Sequence, residues 1–134
     1  MSRIGNHQHA ERLTREAAKA VGRQLDHWVW CAKTGGLING DPQYPDKFAP
    51  LRDPGDAYEI ESALQIDVKY QPNGPASTVM QMSQRDTQGA MFEVLGHDRE
   101  YNLRKRMELA VIMASLHLLI NGAVQKESDH GLAG

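Results

Sequence analysis

The stretch from Leu109 to Ile120, LAVIMASLHLLI, is interrupted only by Ser115 and His117. It is well short of the ~20 residues that a bilayer core requires, so it reads as a protein-interior helix and not as a membrane span. Leu103, Met107, Ala110, Ala114 and Leu118 form one stripe at helical spacing, and Ile112, Leu116, Leu119 and Ile120 form a second. A helix that is apolar on two faces has to be covered on both. The spacing predicts a helix from Arg99 to about Gln125, roughly 40 Å long. Its second face calls either for the first helix of the same chain or for a second copy. The first helix has a stripe of suitable length, so a monomer is expected in preference to a homodimer.

The chain has 134 residues, with 15 Lys and Arg against 17 Asp and Glu, for a net charge of -2. That length suits one domain with a single core. Cys31 is the one cysteine, which excludes a disulfide framework. Met1 to His9 holds no apolar run of the kind a secretory leader needs, so a cytoplasmic protein with no membrane partner is expected. Residues 1–9 and 126–134 read as flexible tails around a helical domain over 10–125.

Leu13, Ala17, Val21, Leu25, Trp28 and Ala32 recur at spacings of three and four and predict a helix over 10–33 that ends at Gly35-Gly36. Gly22 inside that run costs roughly 1 kcal/mol relative to Ala. The Gly- and Pro-rich segment 34–55 predicts a long irregular loop. Asp56 and Glu59 have capping-box spacing and open a predicted helix over 57–70. Two short helices are predicted over 76–84 and 87–95, the second capped by Asp86. Asp98 then caps the last and longest helix. The expected fold is all-α, with about five helices.

Enzyme chemistry finds little support. The histidines are scattered, and Cys31 has no paired base in pattern. Asp41, Asp46, Asp53 and Asp56 are the usual turn and cap residues of a loop. No phosphate-loop, dinucleotide, nucleophile-elbow or zincin motif is present. No catalytic residue, metal or cofactor is expected.

The window from Asp86 to Arg106 reads as a short helix, a tight turn at Gly96-His97-Asp98 and a second helix with a basic start. That is the layout of a helix-turn-helix, placed at 86–110. Gln88, Arg99 and Asn102 carry groups suited to base edges, while Arg104, Lys105 and Arg106 suit phosphates. Double-stranded DNA is the partner this predicts. Trp28 and Trp30 fall on opposite sides of the first helix. One of the pair is expected in the core, and the other either under the loop or exposed to anchor a partner.

These pieces resemble the small late-gene antiterminators of the Q-like type found in lambdoid prophages. The matching residues are Leu25, Trp28 and Trp30, Gly35-Gly36, Tyr44-Pro45 and Phe48, then Asp56 to Ala63. Thr87 to Leu95, Gly96, and Arg99 to Ala110 stand in the place of a helix-turn-helix similar to region four of sigma factors. The resemblance implies a phage DNA-binding regulator in the host cytoplasm. It would engage host RNA polymerase and carry it through terminators without chemistry of its own. The competing reading is a helical protein-interaction module of phage origin that binds no DNA, motivated by the two-faced last helix, the Trp pair and the acidic net charge.

Overall fold

The computed structural model describes residues 6–40, 46–85 and 89–133, with 122–133 as backbone alone. In chain order the elements are α1 (His7–Ala20), β1 (Val29–Cys31), β2 (Gly36–Asn39), β3 (Asp46–Phe48), α2 (Pro54–Ala63), β4 (Ile66–Pro72), β5 (Thr78–Gln84), β6 (Ala90–Leu95) and α3 (Arg99–Ala133). Among the described residues these make three helices and two three-stranded antiparallel sheets, ordered β1-β2-β3 and β4-β5-β6. The fold is α/β. The expectation of an all-α fold with about five helices is overturned.

The first correction comes at Gly22. Its φ is +84°, its N–H reaches the Lys19 carbonyl at 3.1 Å, and the Arg23 N–H reaches the Ala18 carbonyl at 2.8 Å. That pair of bonds is the Schellman termination, which needs the left-handed conformation glycine adopts without strain. The glycine read as an interior cost is therefore the stop, and α1 ends at Ala20 rather than running to Lys33. Val29, Trp30 and Cys31 instead pair with Ile38, Leu37 and Gly36.

Part of the expected loop over 34–55 is sheet, where Leu37 pairs with Phe48 and Ile38 with Lys47. A Cβ on Gly36 would lie 2.5 Å from both the Ala49 Cβ and the Phe48 carbonyl oxygen. Only glycine lets the two segments approach so closely. Asp41, Tyr44 and Pro45 lie outside the described residues.

Asp53, not Asp56, caps α2. Its side chain accepts from the Gly55 N–H at 2.8 Å, and Pro54 takes the first helical position, where its missing N–H costs nothing. The Asp56 carboxylate accepts from the Ala49 N–H at 2.8 Å and so ties the helix to the end of β3.

Beyond Gln65 the pattern has period two. Ile66, Met80, Met82 and Leu95 are buried. Val79 stands opposite Val94, and Gln81 opposite Phe92, on the other face of the sheet. The β4–β5 turn is built on Asn73-Gly74, with Gly74 at φ +82° and the Asn73 N–H bonded to the Ser77 carbonyl at 3.0 Å. The predicted helices over 57–70 and 76–84, and the described part of the one over 87–95, are thus α2 and the three strands that follow it, while Asp86 and Thr87 lie outside the described residues. The predicted helix-turn-helix fails with them: its first helix is β6, an extended strand paired with β5.

α3 is the centre of the molecule. Met107, Leu109, Ala110, Val111, Met113 and Ala114 are all buried, covered by α1, α2 and the β4-β5-β6 sheet. The Ser115 hydroxyl donates to the Glu16 carboxylate of α1. At Gln84, the last residue of β5, the side chain meets His117 Nδ1 at 3.0 Å. Burial on more than one side holds from Met107 to Ser115. Past that point Leu116, Leu119 and Ile120 are 48%, 60% and 60% exposed, so α1 does not provide the cover expected for them.

Candidate functional site

Two stretches of α3 carry the features that point to function. At its head lies an open groove of about 440 Å³. Tyr70, Thr78, Arg99, Asn102 and Arg106 give it polar groups, and Leu95 and Leu103 give it apolar walls. Three of the residues predicted to touch DNA, Arg99, Asn102 and Arg106, are thereby brought together.

Their groups are engaged differently. Arg106 forks onto Glu61 of α2 through Nε at 2.9 Å and Nη2 at 2.8 Å, and its Nη1 donates to the Tyr70 hydroxyl at 3.0 Å. Glu61 is only 7% exposed, so this pair is a structural clamp between α2, β4 and α3. The hydrogen bonds to Glu61 push the Arg106 guanidinium above the usual arginine value. Asn102 donates through Nδ2 to the Gly96 carbonyl at 3.0 Å and fixes the turn into α3, where Asp98 caps the helix by accepting from the Tyr101 N–H at 3.2 Å. Its Oδ1 is buried without a hydrogen-bond partner among the described residues.

Arg104, Lys105 and Arg106 follow one another at the 100° helical step and so do not form one basic face. Lys105 is largely buried, 3.6 Å from Glu108 and 5.4 Å over the Tyr101 ring. Arg104, which is exposed, lies 5.8 Å from the centre of the same ring. That leaves Arg99 and Arg104 as the exposed cations of the predicted set. Gln88 is outside the described residues.

Trp28 and Trp30 are half-buried and pack against the core. Arg15 donates to the Trp28 carbonyl at 2.9 Å, and the His7 ring lies 6.4 Å from that of Trp30. Neither tryptophan projects as an anchor.

Where α3 leaves the sheet its surface is apolar. Leu116, Leu119 and Ile120 share a surface that starts where the sheet ends. Sequence reasoning found these residues and gave them the wrong cover. It missed Glu61 and Tyr70, whose distance from Arg106 in the chain leaves no local signal.

Among the described residues no group of three His, Cys, Asp or Glu is placed to hold a metal ion. Asp53 and Asp56 both pair with Lys47, which accounts for them as structural groups. No helix of the described residues is long and apolar enough to cross a membrane.

No protein-family model, curated protein or solved structure matches this chain. Function has to be read from the geometry.

Proposed function

We propose that the chain is a non-catalytic protein-interaction module whose contact element is the outer half of α3. One observation carries the reading: Leu116, Leu119 and Ile120 remain about half exposed or more on a helix that continues to Ala133 past the end of the sheet. Leaving such side chains in water forgoes roughly 1.5–3 kcal/mol each, and a stripe of them along a helix is the usual form of a helix-binding surface. A photo-crosslinking residue at position 119 tests this. The reading expects an adduct of discrete mass that disappears when Leu116 is changed to Glu. No adduct, or an adduct indifferent to Leu116, ends it.

A second reading keeps nucleic acid as the partner, and with it the late-gene regulator acting with host RNA polymerase. Its support is the exposure of Arg99 and Arg104 beside the groove. Without a helix-turn-helix, this contact is to phosphate and is not sequence-specific. Two exposed cations predict a slope of log affinity against log salt near about -2, with dissociation constants of about 10⁻⁴–10⁻⁶ M at physiological salt. Fluorescence anisotropy with duplex DNA measures both quantities. Affinity that is unchanged in the Arg99→Ala, Arg104→Ala double variant removes this reading.

A further inference from the structure

We infer that the partner of the outer half of α3 is a second copy of the same helix, the two crossing antiparallel about a two-fold axis near Leu119. This rests on the protein-interaction reading above and names its partner.

The exposed Leu116, Leu119 and Ile120 lie where α3 leaves the sheet. The contact between Gln84 and His117 at 3.0 Å marks the end of the sheet, and α3 continues from there to Ala133. At 1.5 Å per residue, the segment from Leu118 onward extends about 24 Å. A helix in water gains most of its stability by packing an apolar face, and the face formed by Leu116, Leu119 and Ile120 is exposed. A second helix covers that face.

The chemistry of the segment selects the partner. Between Glu108 and Lys126 the sequence contains no Asp, Glu, Lys or Arg. A charge-free surface offers nothing to a nucleic acid or to a charged peptide, and it matches an equally charge-free one. Leu109, Ile112, Leu116, Leu119 and Ala123 follow one another at steps of three and four, the spacing of a two-helix seam. The seam begins in the core, where Leu109 is buried, and emerges at Leu116. A two-fold contact needs only one such surface, because each copy presents it to the other.

The polar groups beside the seam do not oppose its burial. His117 is held through Nδ1 by Gln84 at 3.0 Å and through Nε2 by Asn121 at 2.6 Å. A neutral imidazole accepts at one nitrogen and donates at the other. One amide therefore meets the ring through its NH2 group and the other, turned over, through its oxygen; each ring nitrogen then has a partner within the chain.

Sedimentation of the full chain in reductant tests the inference, the reductant ensuring that Cys31 does not link copies. The expected species has twice the 14.9 kDa mass of the chain at micromolar concentration. Leu119→Glu and, separately, Ile120→Glu should weaken the dimer by at least about 100-fold, since Leu119 lies in the apolar seam and Ile120 on its edge, where a charge would be buried against the partner helix. Both residues are exposed in the single chain, so the variants should keep its circular dichroism. A wild type that stays monomeric at high micromolar concentration overturns the inference, as does a dimer that survives both substitutions. If the monomer still yields an adduct of another mass from the probe at position 119, the inference fails and the interaction reading stands. A monomer without any adduct ends both.

Discussion

Arg23, just past the end of α1, grips Glu59 of α2 in a fork of 2.6 and 2.7 Å, with its guanidinium 5.2 Å from the centre of the Phe48 ring. One side chain therefore ties the stop of α1 to β3 and α2. The pair is more than a third exposed, so its Coulomb share is modest. Arg23→Ala should cost about 1–2 kcal/mol from the fork and the ring contact together, measured by urea denaturation. Arg23→Lys should recover less than half of that, because an ammonium cannot make the planar fork.

The clamp between Arg106 and Glu61 should behave more severely. Arg106→Ala leaves a buried carboxylate without its partner, at a cost of roughly 2–4 kcal/mol, reduced from the fully buried case because Arg106 is partly exposed. Changing Arg106 to Met and Glu61 to Leu together should cost far less than Arg106→Ala alone. A double-mutant cycle by chemical denaturation measures the coupling.

Two glycines should fail for different reasons. Gly22→Ala meets no neighbour within 4 Å, and its cost is the left-handed backbone alone, roughly 1–2 kcal/mol. Gly36→Ala meets the Phe48 carbonyl and Ala49 at 2.5 Å, so it should separate β2 from β3. Gly22→Asn should be tolerated better than Gly22→Ala, since asparagine enters the left-handed region more readily. Gly36→Asn should be as damaging as Gly36→Ala or worse. Thermal melts of the four variants check the pattern.

Lys47, together with the Gly55 N–H, holds the Asp53 carboxyl below its ordinary value, and Asp53 in turn raises Lys47. A depressed carboxyl contributes stability above its unfolded pKa of about 3.9 and loses it as pH falls through the folded value. The raised lysine contributes below about 10.4 and loses its share as pH rises through its folded value. Stability from this pair should therefore be flat between those limits and decline outside them. Asp53→Asn should keep the helix cap while flattening the acid side, and Asp53→Ala should also lose about 1 kcal/mol at neutral pH.

Hydrogen bonding from Thr34, whose backbone N–H lies 3.5 Å from the sulfur, holds the Cys31 thiol below its usual pKa. At neutral pH the folded chain should therefore alkylate faster at Cys31 than the same chain in urea, because the thiolate is the nucleophile. Mass spectrometry against time gives both rates. A slower folded reaction would contradict the assignment.

The last helix is legible because its apolar residues repeat over several turns and Asp98 is readable as its cap, whereas the pattern over 10–33 holds as a helix only as far as Ala20. Strands were misread where short apolar runs fit either period. Val79, Met80 and Met82 carry no decisive spacing, and Ala90 to Leu95 lacks the polar alternation of a half-exposed strand. The strongest missed signal is Asn73-Gly74 between Val68 and Met80, a hairpin turn that falls in the gap between the helices predicted over 57–70 and 76–84. Gly22 was seen, but its stop depends on hydrogen bonds that no residue pattern displays. At the head of α3 the basic residues were read as free. Their partners Glu61 and Tyr70 are set by tertiary packing, and so is the exposure of Leu119.

Glu16 of α1 and Ser115 of α3 are 99 positions apart in the chain, and that separation governs how the protein is made. A ribosome adding about 5–20 residues per second needs roughly 5–20 s to cover that distance. Through that interval Leu13, Ala17 and Ala18 have been synthesised, but the helix that buries them has not. The early elements accordingly wait in water or on a chaperone, and the core closes only once the final helix has left the ribosome.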